Sequence, residues 1–357
     1  MLRIGILNFA GHMNHGANLT AYALQHLFNK WGHHAQNLHL HSTPFDRKIP
    51  QFARFADDNI MLSTTCAAGE CGMQNFNKEY DVFIVGSDQV WREAEGNTSY
   101  WKWKTPHYAC YHLAFAQPGK RRIAVASSFG NEEYNPPENI RASIAQELKR
   151  FAAVSVREHS AIKTVKSISG LDAQLLIDPV FYINTEEWKQ LITQPLKRRN
   201  GKKLIAYNSF FHNNEIEIIK QDLKNEYEFY DLCSCDTYTW LSVIQNSEFV
   251  ITDSFHVLCF CLIFGTPFIC LTAAGQGEAR FKSLQQLLGF SKHRIIKVDS
   301  MKNLTAEIYK LIDTPEDWAS IHSRIGQYKT AACSWLKNAL TCPIPKWSGP
   351  PYRKANS

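Results

Sequence analysis

The stretch EFVITDSFHVLCFCLIFGTPFICLT, residues 248–272, carries a single imidazole, His256, at the mouth of an otherwise apolar run. Asp253 and Ser254 before it are residue types that cap helix starts, and Gly265 with Pro267 forms a stop signal. Between these signals a helix is expected over residues 255–264, apolar on nearly every side and therefore buried all round. His256 falls in its first turn, where backbone N–H groups and the positive end of the helix dipole favour an anion. An imidazole gives or takes a proton readily near neutral pH. The expected chemistry is proton transfer beside a bound anion. A core histidine held by a backbone carbonyl fits the same local pattern.

The elements that must position this residue repeat along the chain. EFVIT and FICLT read as buried strands on either side of the helix, one βαβ unit. LRIGILNF, DVFIV, RRIAVAS, FAAVSV, AQLLI, KLIAYN and YEFYD are further strands, and LTAYALQHLFNKWG, NEIEIIKQDLKNE and TYTWLSVIQNS are helices. Strands alternating with helices of this length imply an α/β chain with parallel sheets covered on both faces. Its 357 residues exceed what one core usually holds. The basic stretch TQPLKRRNGKK marks the boundary, with 1–192 as the N-terminal domain, 193–203 as linker and 204–313 as the C-terminal domain. A solvated linker and a binding patch both fit that composition. Helices over 314–342 are expected to pack back across both domains, and 343–357 reads as a loose tail.

Polar residues recur where strands end. Ser87 and Asp88 follow DVFIV, Ser127 and Ser128 follow RIAVA, Arg157 follows AVSV, Asp178 follows QLLI and Asn208 follows LIAY. In parallel sheets such ends gather along one rim, and two rims facing across a linker would make a ligand cleft. Arg157 stands out because a guanidinium grips carboxylate or phosphate at two points. Asn14, Asp88 and Gln89 are of the types that bind hydroxyls, and turn formation suits each of them equally. The aromatic segment YWKWKTPHYACYH, 100–112, suits stacking on a sugar or folding onto the core.

Composition narrows the class. Hydrophobic residues make up 45% and charged residues 20%, a globular rather than disordered profile. A net charge of +6 favours small anions or a lipid headgroup surface and does not indicate a nucleic-acid partner. No run approaches the ~20 apolar residues of a membrane span, and MLRIGILNF passes straight into strand-like alternation, so no secretory signal is expected. Ten cysteines are too sparse for a disulfide scaffold. Cys259 and Cys261 would point to different faces of a helix, and the Cys66–Cys71 pair lacks a second pair at zinc spacing. Reduced thiols and no metal are expected.

The ordered set GSDQVW, SSFG, VSVREHSAIKTV, LIDPVF, VITDSFHVLCFCLIFGTPFI and ARFKSLQQLLG, with NHGANLTAYAL at the start, resembles the polysaccharide pyruvyl transferases. The resemblance implies two Rossmann-like domains in a fold similar to the glycosyltransferase B type, with acceptor recognition in the N-terminal domain and donor recognition in the C-terminal one. It also implies phosphoenolpyruvate as donor, a sugar as acceptor and a cyclic pyruvate ketal as product, in bacterial cell-surface polysaccharide biosynthesis. No cofactor is required by that scheme. By position His256 matches the family's catalytic histidine, Arg157 matches an arginine that grips the donor, and Asn14 with Gly16 matches an Asn-x-Gly loop. Many members carry Arg two positions before the histidine, where this chain has Ser254. Arg280 is the candidate to supply that charge, with backbone amides near Ser254 and Phe255 as further donors. A cytoplasmic location follows, and a lipid-linked oligosaccharide acceptor would bring peripheral contact with the inner membrane face. The competing functions are a nucleotide-sugar glycosyltransferase of the same layout and a non-catalytic glycan-binding relative.

Overall fold

Short β-branched and apolar runs form parallel strands, and the longer amphipathic runs form helices that cross between them. The computed structural model describes residues 1–9, 14–40, 50–67, 72–92, 107–192, 202–272, 278–298 and 304–346. It divides into two compact units, one of residues 1–49, 56–182 and 330–357 and the other of 50–55 and 183–329.

In the first unit β1 (Arg3–Leu7), β2 (His34–Leu40), β3 (Leu62–Ala67), β4 (Val82–Val85), β5 (Arg121–Ser127), β6 (Ala153–Val156) and β7 (Gln174–Leu175) form one sheet. Its order is β3-β2-β1-β4-β5-β6-β7, and every pair is parallel. The order reverses between β1 and β4, so their carboxyl ends flank a crevice of the kind where open α/β sheets bind ligands. Phe83, Val85, Trp91, Phe115 and Phe129 lie in its core. Gly86, at φ 124°, lets the chain leave β4 tightly against β5, since a Cβ there would collide with the Val125 carbonyl. A buried ion cluster helps hold the helix Glu138–Leu148 to this sheet. Arg122 Nη1 and Arg150 Nη1 lie 2.7 and 2.9 Å from Glu147 Oε2, and both guanidiniums also donate to the Ala116 carbonyl.

The second unit has β8 (Lys203–Asn208), β9 (Tyr227–Asp231), β10 (Phe249–Thr252), β11 (Phe268–Thr272) and β12 (Ile295–Lys297), in the order β12-β11-β10-β8-β9, again all parallel. Here the reversal falls between β8 and β10, where Thr252 lies opposite Asn208. The helix Phe255–Phe264 follows β10 and is buried along nearly its whole length, with Trp188 and Trp240 edge-on to Phe260 at 5.0 and 5.3 Å. Gly265, at φ 74°, closes it in the left-handed conformation.

The division falls at 182/183 rather than in the basic stretch, most of which (193–201) lies outside the described residues. Trp188 explains the shift: it is fully buried against Phe260, and Thr185 Oγ1 donates to the Ile263 carbonyl, so the segment before the basic stretch already belongs to the second core. Pro50–Phe55 also groups with the second unit, where Gln51 Nε2 reaches the Cys233 carbonyl and Phe55 packs on Tyr238. The last helix, Trp318–Ala339, contributes residues to Lys329 to the second unit and the rest to the first. Residues 100–106 of the aromatic segment and 347–357 of the tail lie outside the described residues.

Candidate active site

In the second unit, the site is built where β10 gives way to its helix. Ser254 is the N-cap, yet its side chain makes no capping bond, and its backbone N–H goes to Thr252 Oγ1 at 2.9 Å. The amide at Ser254 is therefore committed, and the expected anion donors narrow to the first helical turn. Asp253 is not the cap either. Its carboxylate turns to the loop after β8 and accepts from Phe210 N at 2.8 Å, Phe211 N at 3.0 Å and Ser209 Oγ at 3.2 Å. Burial raises the Asp253 carboxyl above its ordinary range, and these donors pull back against the rise.

His256 is 6% exposed, with its ring 5.5 Å from that of Phe255. The guanidinium of Arg280, in the first turn of the helix Glu278–Leu288, lies 5.7 Å from the same Phe255 ring and 5.8 Å from Phe281. Phe255 thus neighbours both a proton carrier and a permanent cation, and contact with its ring face stabilises the cation there. Asn208 and Cys233 complete this rim. Asn208 Nδ2 donates to Cys233 Sγ at 3.1 Å, and burial with the neighbouring Asp231 raises the Cys233 thiol to about 11.

The first unit gathers the other candidates. Arg157 is buried, with Nη1 2.6 Å from Asp178 Oδ2 and Nη2 3.1 Å from Asp88 Oδ1. Glu158 Oε2 lies 3.9 Å from its Nε, while Glu158 Oε1 accepts from Ser128 Oγ and Phe129 N. Ser87 Oγ lies 2.9 Å from Asp178 Oδ2. Burial pulls the guanidinium's pKa down, and Asp178, Asp88 and Glu158 more than offset this, so it stands above its ordinary value. The strand-end residues do converge, as expected for a rim, but onto one another. A donor phosphate gripped by Arg157 would share the guanidinium with Asp178 and Asp88.

The acceptor candidates fare differently from one another. Asn14 caps the helix His15–Lys30 through Oδ1 and Ala17 N at 3.1 Å, and Gly16 is buried in that helix's first turn. Asp88, at φ 73°, is spent on Arg157 and on Gln89 N. Gln89 is half-buried and keeps its side chain near Arg92. Sequence reasoning missed His212, the residue before the helix Asn213–Leu223, because it lies in a polar loop with no periodic signal. Among the described residues no three His, Cys, Asp or Glu side chains are grouped to hold a metal ion, and the nine described cysteines are free thiols. Among them too, no helix is long and apolar enough to cross a membrane.

The family model described as polysaccharide pyruvyl transferase matches residues 14–273. The chain belongs to that family. The matched region includes both β10 and the helix of His256. No curated protein matches the sequence. Among solved structures it is similar to the UDP-GlcNAc 2-epimerase from Neisseria meningitidis bound to UDP-GlcNAc, at 11% identity and a TM-score of 0.59, over 96% of this chain and 100% of that one. The UDP-GlcNAc 2-epimerase from Methanocaldococcus jannaschii gives 13% and 0.58 over 96% and 99%. The spinosyn forosaminyltransferase SpnP gives 10% and 0.52 over 95% and 99%. Identities this low carry the fold alone, two Rossmann-like domains of the glycosyltransferase B class.

Proposed function

We propose that this family member moves the enolpyruvyl group of phosphoenolpyruvate onto a sugar and closes a cyclic pyruvate ketal, with His256 as general acid and base. The observation that carries the proposal is that His256 and the Arg280 guanidinium both lie against the Phe255 ring in one unit. Arg280 supplies the charge that Ser254 lacks and, with the first-turn amides, holds the carboxylate and phosphate of the donor. His256 delivers a proton to the methylene carbon as a sugar hydroxyl adds to the neighbouring carbon, and it takes up the proton that hydroxyl loses. A second hydroxyl of the sugar then forms the other C–O bond, the C–O bond to phosphate breaks, and phosphate leaves with that hydroxyl's proton.

The test uses the full chain with phosphoenolpyruvate and a panel of sugars, reading phosphate release and the mass of a pyruvyl adduct less water. His256→Ala should keep the wild-type melting temperature and lose on the order of 10²–10⁴ in rate. A folded variant with near wild-type release removes His256 from the mechanism. Binding of uridine diphosphate in place of phosphoenolpyruvate removes the reaction itself.

A further inference from the structure

Buried polar atoms are nearly always hydrogen-bonded, so those without partners point to what a surface is built to receive. Two such atoms lie at the end of β8 and in the loop that leaves it. Asn208 is 3% exposed and His212 is 5% exposed, and neither Asn208 Oδ1 nor His212 Nε2 has a hydrogen-bond partner. The loop stands at the reversal between β8 and β10, and Asp253 N donates to the Asn208 carbonyl at 3.2 Å. Ligands of open α/β sheets bind outside the strand ends at such a reversal.

The orientation of the Asn208 amide follows from its neighbour. Burial and the neighbouring Asp231 keep Cys233 as a thiol, and its sulfur accepts from Asn208 Nδ2 at 3.1 Å. Nδ2 is thereby committed and Oδ1 remains as a pure acceptor. Phosphoenolpyruvate is anionic at both ends at neutral pH and has little O–H to offer such an atom. A sugar hydroxyl does. The same loop presents Phe210 and Phe211, 58% and 62% exposed, with ring centroids 6.5 Å apart and both backbone amides clamped by Asp253. Exposed aromatic faces stack on the C–H faces of pyranose rings.

We propose that the β8 loop is a carbohydrate subsite, in which Asn208 Oδ1 and His212 Nε2 bind hydroxyls and Phe210 and Phe211 carry the ring. Its occupant is the acceptor sugar, an assignment that rests on the ketal-forming function. Acceptor recognition is thus placed in the second unit, which also carries His256, rather than in the first.

The experiment titrates the full chain with methyl glycosides of galactose, glucose, mannose and N-acetylmannosamine, by saturation-transfer NMR and calorimetry without donor. At least one glycoside should bind. Phe211→Ala, at an exposed position that leaves the core intact, and Asn208→Leu, close in shape but without polar atoms, should each weaken it by about tenfold or more. Phosphoenolpyruvate affinity should stay within twofold. Unchanged glycoside affinity in Phe211→Ala and Asn208→Leu overturns the subsite, as does a loss confined to phosphoenolpyruvate. A crystal structure with the glycoside elsewhere and only ordered water on Asn208 Oδ1 also overturns it. The proposed reaction fails separately: glycoside binding that depends on these residues, with no phosphate release from phosphoenolpyruvate, retains a carbohydrate site and removes the transfer.

Discussion

Cys233 shows how one side chain decides what its neighbour can bind. The residue reaches the surface, yet burial of the thiol, with Asp231 beside it, raises its pKa to about 11. A raised thiol pKa leaves thiolate scarce at neutral pH, and thiolate is the form that reacts. Iodoacetamide should therefore label Cys233 at pH 8 on the order of a hundredfold more slowly than free cysteine. The rate should climb about tenfold per pH unit until pH about 11. Peptide mass spectrometry follows this directly, and a plateau below pH 9 would mean that burial and Asp231 do not hold the thiol up. At this scale His256 and Arg157 were legible as residue types at strand ends. What each one faces was not. Asp178 and Asp88, which occupy Arg157, are 21 and 69 residues from it in the chain, and no local pattern pairs them.

Elements were read more fully than side chains. The helix after β10 begins and ends where Ser254 and Gly265 mark it, because an all-apolar run must be buried and its ends must be signalled locally. The cap chemistry differed, since Asp253 serves the loop after β8 instead of the helix that follows it. Asp253→Ala should release that loop while leaving the helix Phe255–Phe264 in place. Hydrogen exchange would show the Phe210 and Phe211 amides losing protection, with a cost of about 1–3 kcal/mol to stability. Protection unchanged at both amides would show that the loop holds itself. β2 escaped notice for a related reason. Its Asn37 is 1% exposed, inside a chain of amides in which Asn8 Nδ2 donates to Asn37 Oδ1 and Asn37 Nδ2 to Gln25 Oε1. Polar residues satisfied by distant partners do not read as a strand from alternation alone.

For the molecule as a whole, the first unit closes its strand-end polar residues into a buried network around Arg157, while the second carries His256, Arg280 and the β8 loop. Arg157→Ala would leave Asp178, Asp88 and Glu158 buried without their cation, a loss of about 3–5 kcal/mol. Denaturant melts would measure it. A variant as stable as wild type, with donor affinity lost, would assign Arg157 to donor binding instead. The sequence alone determined that the chain is α/β with parallel sheets, where the buried helix of His256 lies, and which family it resembles. These rest on periodicity, caps and ordered motifs, all encoded within a few residues of one another. The tertiary structure decided that the division falls at 182/183, that Arg157 is neutralised internally and that Asn208 is left with an unanswered acceptor. Each of those depends on charges and side-chain volumes brought together from distant parts of the chain, which only folding sets side by side.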